Sequence, residues 1–433
     1  MSCLISRICR MAMAPCPRVL VSLTASSSSR TRTYSSSPIA SSVEACHQSR
    51  ITSVQLKEKE LSVHWNNTST VDLPYVFLRD NCQEPESFDQ VARQRLFNPA
   101  FTVDLNIRAT GAEVNEEGRQ LTITWPDGHR SRYKSSWLRQ YCTGNTAMSG
   151  RLPVETFYWG SDYYEKLPRF DFEELLKDDK CLLEYLLKLE SHGLVLVENV
   201  GTQSQQVKRL CDHIYYPKPC IYGIDVMKVE SKLDASHIAY TGVELPLHND
   251  FVYCDYTCGI QMLHFIHHVP GSTAGASRFC DGFNVAEALR KTNLSAFDML
   301  SQYPIQFVDA GTDTVGDYDT ESWHHTISVS SSGEITEVNY SNHSRGPHFP
   351  AILMDKLHEW YAAYYEFSHL MNSPEYLIEF KVEAGQMVVF NNRRVLHGRS
   401  GFKLQGNDYR YAELCYMDWD EIRSKARVLM KKY

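Results

Sequence analysis

Leu245-Pro246-Leu247-His248-Asn249-Asp250 places an imidazole and a carboxylate two residues apart, and a further imidazole follows in Val395-Leu396-His397-Gly398-Arg399. In an extended strand residues i and i+2 project to one side, so His248 and Asp250 can approach a single metal ion from one direction. His397 would complete a face of two histidines and one carboxylate. Such a face leaves other coordination positions open and suits non-haem Fe(II) chemistry. A His-x-acid tripeptide also arises by chance in a chain with 17 His and 52 acidic residues, so its meaning depends on its surroundings.

Arg410, in Tyr409-Arg410-Tyr411-Ala412-Glu413-Leu414, is the next such residue. A guanidinium among aromatic and aliphatic neighbours in a strand is costly to bury without an anion. Its planar fork of donors matches a carboxylate in bidentate fashion. An internal salt bridge is the alternative use.

These residues need a scaffold. From about His47 to residue 142 the chain reads as a small β domain, with strands at Leu61 to Trp65, Val103 to Ile107 and Leu121 to Trp125 and a turn at Trp125-Pro126-Asp127-Gly128-His129. A short helix is expected at Ser136 to Tyr141, and residues 143–168 are read as a linker. The second domain, 169–433, opens with one amphipathic helix capped by Asp171 and stopped by Gly193. A buried strand at Leu194 to Val197 and a helix from Ser204 to Ile214 follow. Further strands are expected at Gly259 to Phe265, Ile378 to Val382, Met387 to Phe390 and Tyr409 to Tyr416. Helices are expected at Asn284 to Leu300 and Ile352 to Met371, with another at the C-terminus. The pattern predicts a β-rich α+β fold, a distorted double-stranded β-helix or jelly roll with flanking helices, beside the small N-terminal β domain. No internal repeat is read from the sequence.

Composition narrows the function. The 433 residues carry 44 Lys plus Arg against 52 Asp plus Glu, a net charge of -8 that argues against a general nucleic-acid binder. No uninterrupted apolar run is long enough for a membrane span. Residues 1–43 differ: they are rich in Ser, contain Arg7, Arg10, Arg18, Arg30 and Arg32, and have no acidic residue before Glu44. That is the composition of a mitochondrial transit peptide, so the matrix is the expected compartment and the cytoplasm the alternative. The 13 cysteines are scattered singly and read as reduced, mostly buried thiols.

Over most of its length, from Leu78 to the C-terminus, the sequence resembles the Fe(II)/2-oxoglutarate dioxygenases of carnitine biosynthesis, the gamma-butyrobetaine and trimethyllysine dioxygenases. The matching segments are Leu78-Arg79-Asp80-Asn81-Cys82, Ile123-Thr124-Trp125-Pro126-Asp127-Gly128-His129, His248-Asn249-Asp250, Gly259-Ile260-Gln261-Met262-Leu263-His264, Asp281-Gly282-Phe283-Asn284-Val285, Leu396-His397-Gly398-Arg399 and Arg410. Asp281 to Val285 and Met417-Asp418-Trp419-Asp420 are nearer the gamma-butyrobetaine branch.

The resemblance implies that His248, Asp250 and His397 carry iron, that Arg410 holds 2-oxoglutarate and that Leu263 lines the co-substrate pocket. It also implies hydroxylation of a small quaternary-ammonium carboxylate, with ascorbate as reductant and a homodimer as the assembly. Trimethyllysine hydroxylation and a non-catalytic quaternary-ammonium binder are the alternatives. Tyr222, Tyr240 and Tyr416 fall on the positions of the family's aromatic cage, while Asn339 or Asn342 would meet the substrate carboxylate.

Three departures stand out. The family's cage tryptophan is absent from Tyr222-Gly223-Ile224-Asp225-Val226-Met227, where Asp225 is the expected compensating charge. His237 and Phe251 replace an asparagine and a tyrosine. In the N-terminal domain the family's zinc site keeps only Cys82 and His129, with Glu84 and Ser87 in place of cysteines. Zinc is therefore not expected, and packing around Trp125 and Trp137 is expected to hold that domain.

Overall fold

The computed structural model describes residues 50–142, 150–230, 243–268, 275–313, 316–402 and 409–433, with the backbone alone at 140–142. The segment 1–43 read as a transit peptide, His237 and Tyr240 lie outside the described residues. The chain divides into two compact units, Met1–Thr143 and Gly144–Tyr433.

The first unit contains a repeat that sequence analysis missed. Strands Ile51–Leu56, Glu60–Trp65 and Thr70–Pro74 form one antiparallel sheet, followed by the helix Tyr75–Asp80. Strands Gly111–Val114, Gln120–Thr124 and Arg130–Lys134 form another, followed by the helix Ser135–Cys142. Leu61, Val63, Trp65, Leu78, Arg79 and Cys82 recur as Leu121, Ile123, Trp125, Leu138, Arg139 and Cys142, a constant offset of 60 residues. Even the helix entries match: Tyr75 N–H donates to Lys59 O and Ser135 N–H to Arg119 O. The periodicity escaped notice because the turns and exposed faces have diverged, while the strand-inward residues that build the core have kept their type.

The two copies share one core, in which Leu61, Val63, Trp65, Leu121, Ile123 and Trp125 are all buried. Tyr75 of the first meets Trp125 of the second edge-on at 6.2 Å, and Tyr133 of the second donates its hydroxyl to the Leu78 carbonyl. Trp137 is half-buried against Tyr133 at 5.6 Å. Val103 to Ile107 is not a strand. Asn98 caps a short helix, Pro99–Thr102, and Asp104 accepts from Asn106 N–H, so local side-chain bonds win over strand propensity.

The second unit is built on two sheets. The larger is mixed and six-stranded, in the order Met227–Glu230, Tyr411–Met417, Ile260–His267, Met387–Asn391, Leu194–Glu198, Arg169–Asp171, with the last pair parallel. The smaller has four antiparallel strands in the order Leu245–His248, Val395–Arg399, Ser277–Asp281, Leu377–Phe380. Leu194, Phe265, Val388 and Phe390 of the first pack with Phe279, Ile378 and Val395 of the second, and Phe279 and Phe390 meet at 5.6 Å. Helices cover the outer faces. The expected helix after Asp171 is two, Phe172–Lys177 and Asp179–His192, because Asp178 turns extended and caps the second. Gly193 ends it at φ +77, where a Cβ is strained. Asn293 likewise splits the stretch read as one helix into Gly282–Thr292 and Leu294–Gln302.

Two further expectations are corrected. Part of the stretch read as a linker belongs to this core: Trp159, Tyr163 and Leu167 are buried, and Trp159 stacks on Tyr163 at 4.7 Å. Aromatic residues without periodicity gave no strand or helix signal, yet they bury as much apolar surface as a regular element. A long hairpin, Pro304–Asp313 with Gly316–His325, was also not anticipated. No helix among the described residues is long and apolar enough to cross a membrane.

Candidate active site

His248 ends the strand Leu245–His248 and His397 lies mid-strand in Val395–Arg399, and the two are directly opposed in the antiparallel register. Gly398 makes this approach possible, since a Cβ there would stand 2.6 Å from the Leu245 carbonyl oxygen. Asp250 follows just beyond the strand. Its Oδ1 is 3.2 Å from His248 Nε2 and its Oδ2 is 3.7 Å from His397 Nε2. These three side chains form the only group among the described residues with ligand atoms close enough for one metal ion, all within 4.8 Å of one another.

The protonation states suit a cation. His248 Nδ1 lies 2.9 Å from the Pro246 carbonyl, which only accepts, so Nδ1 carries a hydrogen and Nε2 is the nitrogen turned toward Asp250. Burial, with His248 beside it, lowers the His397 pKa to about 3, which leaves the ring neutral. Burial opposes ionisation of Asp250, but the two histidines and the Tyr416 hydroxyl outweigh it and hold the carboxyl well below the usual range. Two imidazole nitrogens and a carboxylate are the donor set that a divalent cation needs.

What fixes Asp250 was not visible in the sequence. Its N–H donates to Asn392 Oδ1 at 2.9 Å, and Asn392 Nδ2 returns a bond to its carbonyl at 2.8 Å. Asn249, fully buried, donates to the Asn392 carbonyl at 2.6 Å and accepts from Tyr340 N–H at 3.1 Å. The Tyr416 hydroxyl donates to Asp250 Oδ2 at 2.6 Å. The next residue, Phe251, is buried at φ +61, a conformation that a bulky residue adopts only when its surroundings impose it.

Beside this face lies a cavity with two contrasting ends. At one, Arg410 is 7% exposed, its Nε has no hydrogen-bond partner, and no carboxylate pairs with it among the described residues. Burial, aggravated by Arg399, pulls its pKa down to about 9. The guanidinium lies over the rings of Phe265 and Phe402 at 5.0 and 5.8 Å. A buried cation without internal compensation is a socket for an anion. Leu263 lines the same cavity, as does Arg399, whose place in Leu396-His397-Gly398-Arg399 did not by itself signal a role.

At the other end the lining is aromatic. Phe251 meets Tyr416 edge-on at 4.8 Å, Tyr222 at 5.6 Å and Tyr253 at 5.7 Å. Tyr222 and Tyr416 thus both line the cavity, together with Phe251 and Tyr253. Asn339 and Asn342 do not line this cavity. Asn339 is buried between Thr257 and the His325 carbonyl, and Asn342 is engaged by the hydroxyls of Tyr340 and Tyr364. Sequence position put both near the site, but the backbone turns their amides away. Their neighbour His343 lines the cavity instead, its ring 4.7 Å from that of His248. Asp225 is also absent from the lining; its carboxylate caps the N–H of Val226.

An open-sided two-histidine, one-carboxylate face beside a buried, uncompensated arginine fits iron and a keto-diacid, and the chain is an Fe(II)/2-oxoglutarate-dependent dioxygenase. Residues 155–416 match the family described as taurine catabolism dioxygenase TauD, TfdA family, and residues 112–157 match the N-terminal family described as gamma-butyrobetaine hydroxylase-like. Human gamma-butyrobetaine dioxygenase is 31% identical over 378 residues, covering 86% of this chain and 95% of the human protein. The gamma-butyrobetaine dioxygenase of Pseudomonas sp. (strain AK-1) is 32% identical over 373 residues, with 86% and 94% covered. The mitochondrial trimethyllysine dioxygenase of Bos taurus is 28% identical over 373 residues, with 84% of each chain covered. The chain belongs to the TauD/TfdA dioxygenase family, in the group that includes these carnitine-biosynthesis enzymes.

Proposed function

We propose that this enzyme hydroxylates gamma-butyrobetaine to L-carnitine, while 2-oxoglutarate and dioxygen become succinate, carbon dioxide and the new hydroxyl. His248, Asp250 and His397 hold iron from one side. Arg410 grips the distal carboxylate of 2-oxoglutarate against Leu263. Bound iron and keto-acid supply the activation of dioxygen and the electrons released by decarboxylation. The rings of Tyr222, Phe251, Tyr253 and Tyr416 receive the trimethylammonium group, because their faces attract a weakly hydrated cation. The observation that carries this reading is the double use of Tyr416. It bonds a ligand carboxylate through its hydroxyl and closes the aromatic end with its ring, which brings a bound cation beside the metal face.

The test is succinate release from full-length protein with Fe(II), 2-oxoglutarate and ascorbate, driven in turn by gamma-butyrobetaine and trimethyllysine. Stimulation by gamma-butyrobetaine is expected, and stimulation by trimethyllysine alone would overturn the substrate assignment. The arginine-rich segment 1–43 favours the trimethyllysine reading, since those relatives are named mitochondrial. With the same reading go a distorted jelly-roll core, the first unit as the family's N-terminal domain, a mitochondrial matrix location and a homodimer. Fractionation and light scattering check the last two.

A further inference from the structure

We infer that Asp309 is the counter-charge of the aromatic end, a specificity-determining residue that selects a cationic head group over a neutral one of the same shape. The inference rests on the quaternary-ammonium reading above. Asp309 lies on the hairpin strand Pro304–Asp313, opposite Thr320, and its carboxylate accepts a hydrogen bond from the Tyr222 hydroxyl. The Tyr222 oxygen is in turn 2.5 Å from the Tyr253 oxygen. Tyr222 and Tyr253 both line the cavity, and Tyr318, on the partner strand of the hairpin, meets Tyr222 edge-on at 5.6 Å. Among the described residues no lysine, arginine or histidine forms an ion pair with Asp309, unlike the half-buried Glu287 and Glu337, which pair with Arg290 and Arg393.

The physics follows from this placement. A phenol that donates to a carboxylate gains electron density in its ring, so the face it turns to the cavity attracts a cation more strongly. The carboxylate adds a direct Coulombic attraction across one ring, in a half-buried wall. A neutral group of equal size receives neither term. Asp309 thus supplies the charge that the sequence led one to seek in Asp225, which is spent on its own backbone.

The experiment compares gamma-butyrobetaine with 5,5-dimethylhexanoate, in which carbon replaces the charged nitrogen, by anaerobic calorimetry on full-length protein loaded with Fe(II) and 2-oxoglutarate. Asp309→Asn should weaken the cation about tenfold and leave the isostere within about twofold. An equal effect on both compounds, or on neither, overturns the inference. If the wild-type protein binds neither, the substrate reading has failed, and tetramethylammonium decides what remains. Binding that weakens in Asp309→Asn upholds the counter-charge; no binding, or binding indifferent to the substitution, overturns it. Should Asp309→Asn not fold, Tyr222→Phe cuts the hydroxyl link and keeps both the ring and the acid. A several-fold fall in the cation-to-isostere ratio then supports the inference, and an unchanged ratio refutes it.

Discussion

In the second unit the Asp250 carboxylate stands 3.2 and 3.7 Å from two imidazole nitrogens, and among the described residues its other hydrogen-bond partner is the Tyr416 hydroxyl. In the first unit Glu84 follows two residues after Cys82 in sequence, but it is taken: Arg132 Nε donates to its Oε1 at 2.9 Å and Nη2 to its Oε2 at 2.5 Å. Cys82 Sγ lies 3.2 Å from His129 Nε2, and the Ser131 hydroxyl donates to it at 3.1 Å. The difference teaches that ligand-type residues make a metal site only when their charge is left uncommitted. An acid that has already found a guanidinium contributes to packing, while one held among neutral donors waits for a cation.

The strongest way to break this contrast is to restore the missing thiols. Glu84→Cys with Ser87→Cys should create a second metal equivalent, seen as bound zinc by elemental analysis, because closed thiolate sites bind zinc by on the order of 10 kcal/mol. No gain of zinc would show that the first unit lacks more than ligands. In the opposite direction, Asp250→Ala should weaken metal binding by more than about 100-fold, measured with Co(II) by visible absorption. Arg410→Ala should raise the 2-oxoglutarate concentration needed for half-saturation by about 100-fold and leave Co(II) affinity unchanged, which separates the anion socket from the metal face. Asn392→Ala removes the bracket around the Asp250 backbone without touching a ligand, so Co(II) affinity should fall about 10- to 100-fold.

The smallest expected effect is on stability. Burial, and then Lys188 and Arg394, lower the His192 pKa to about 4, and its ring stacks on Phe157 at 4.6 Å. The fold favours the neutral ring, so its contribution is full above pH 6.5 and is lost as pH falls toward 4. His192→Phe should flatten thermal unfolding over that window by on the order of 1 to 2 kcal/mol after discounting for partial exposure.

The metal face was legible because its chemistry is written in residue types. The spacing of His248 and Asp250, the later His397 and the strand-borne Arg410, taken with the matching segments around them, pointed to iron and a keto-acid, and the strands at 194–197, 259–265 and 387–390 emerged from apolar runs. What stayed hidden depended on partners far away in sequence. Asn392 works through two bonds to the backbone of Asp250, and an asparagine that brackets a backbone looks like any turn asparagine. Asn339 and Asn342 misled for the same reason, since position along the chain says nothing about where an amide points. Asp225 and Asp309 are equally acidic in the sequence; only the hairpin brings the second to Tyr222.

The repeated half-units of the first unit carry a consequence for how it folds. Each copy leaves its inner face uncovered until the other arrives: Arg139 of the second reaches Ser69 of the first at 3.0 Å, while Arg79 of the first reaches Asp127 of the second at 3.6 Å. The pair behaves as a dimer tethered by its own connector, in which the tether replaces concentration. Neither copy alone would hold a structure. Severing the connector between residues 83 and 110 should turn a unimolecular folding reaction into one whose midpoint depends on how much of each half is present.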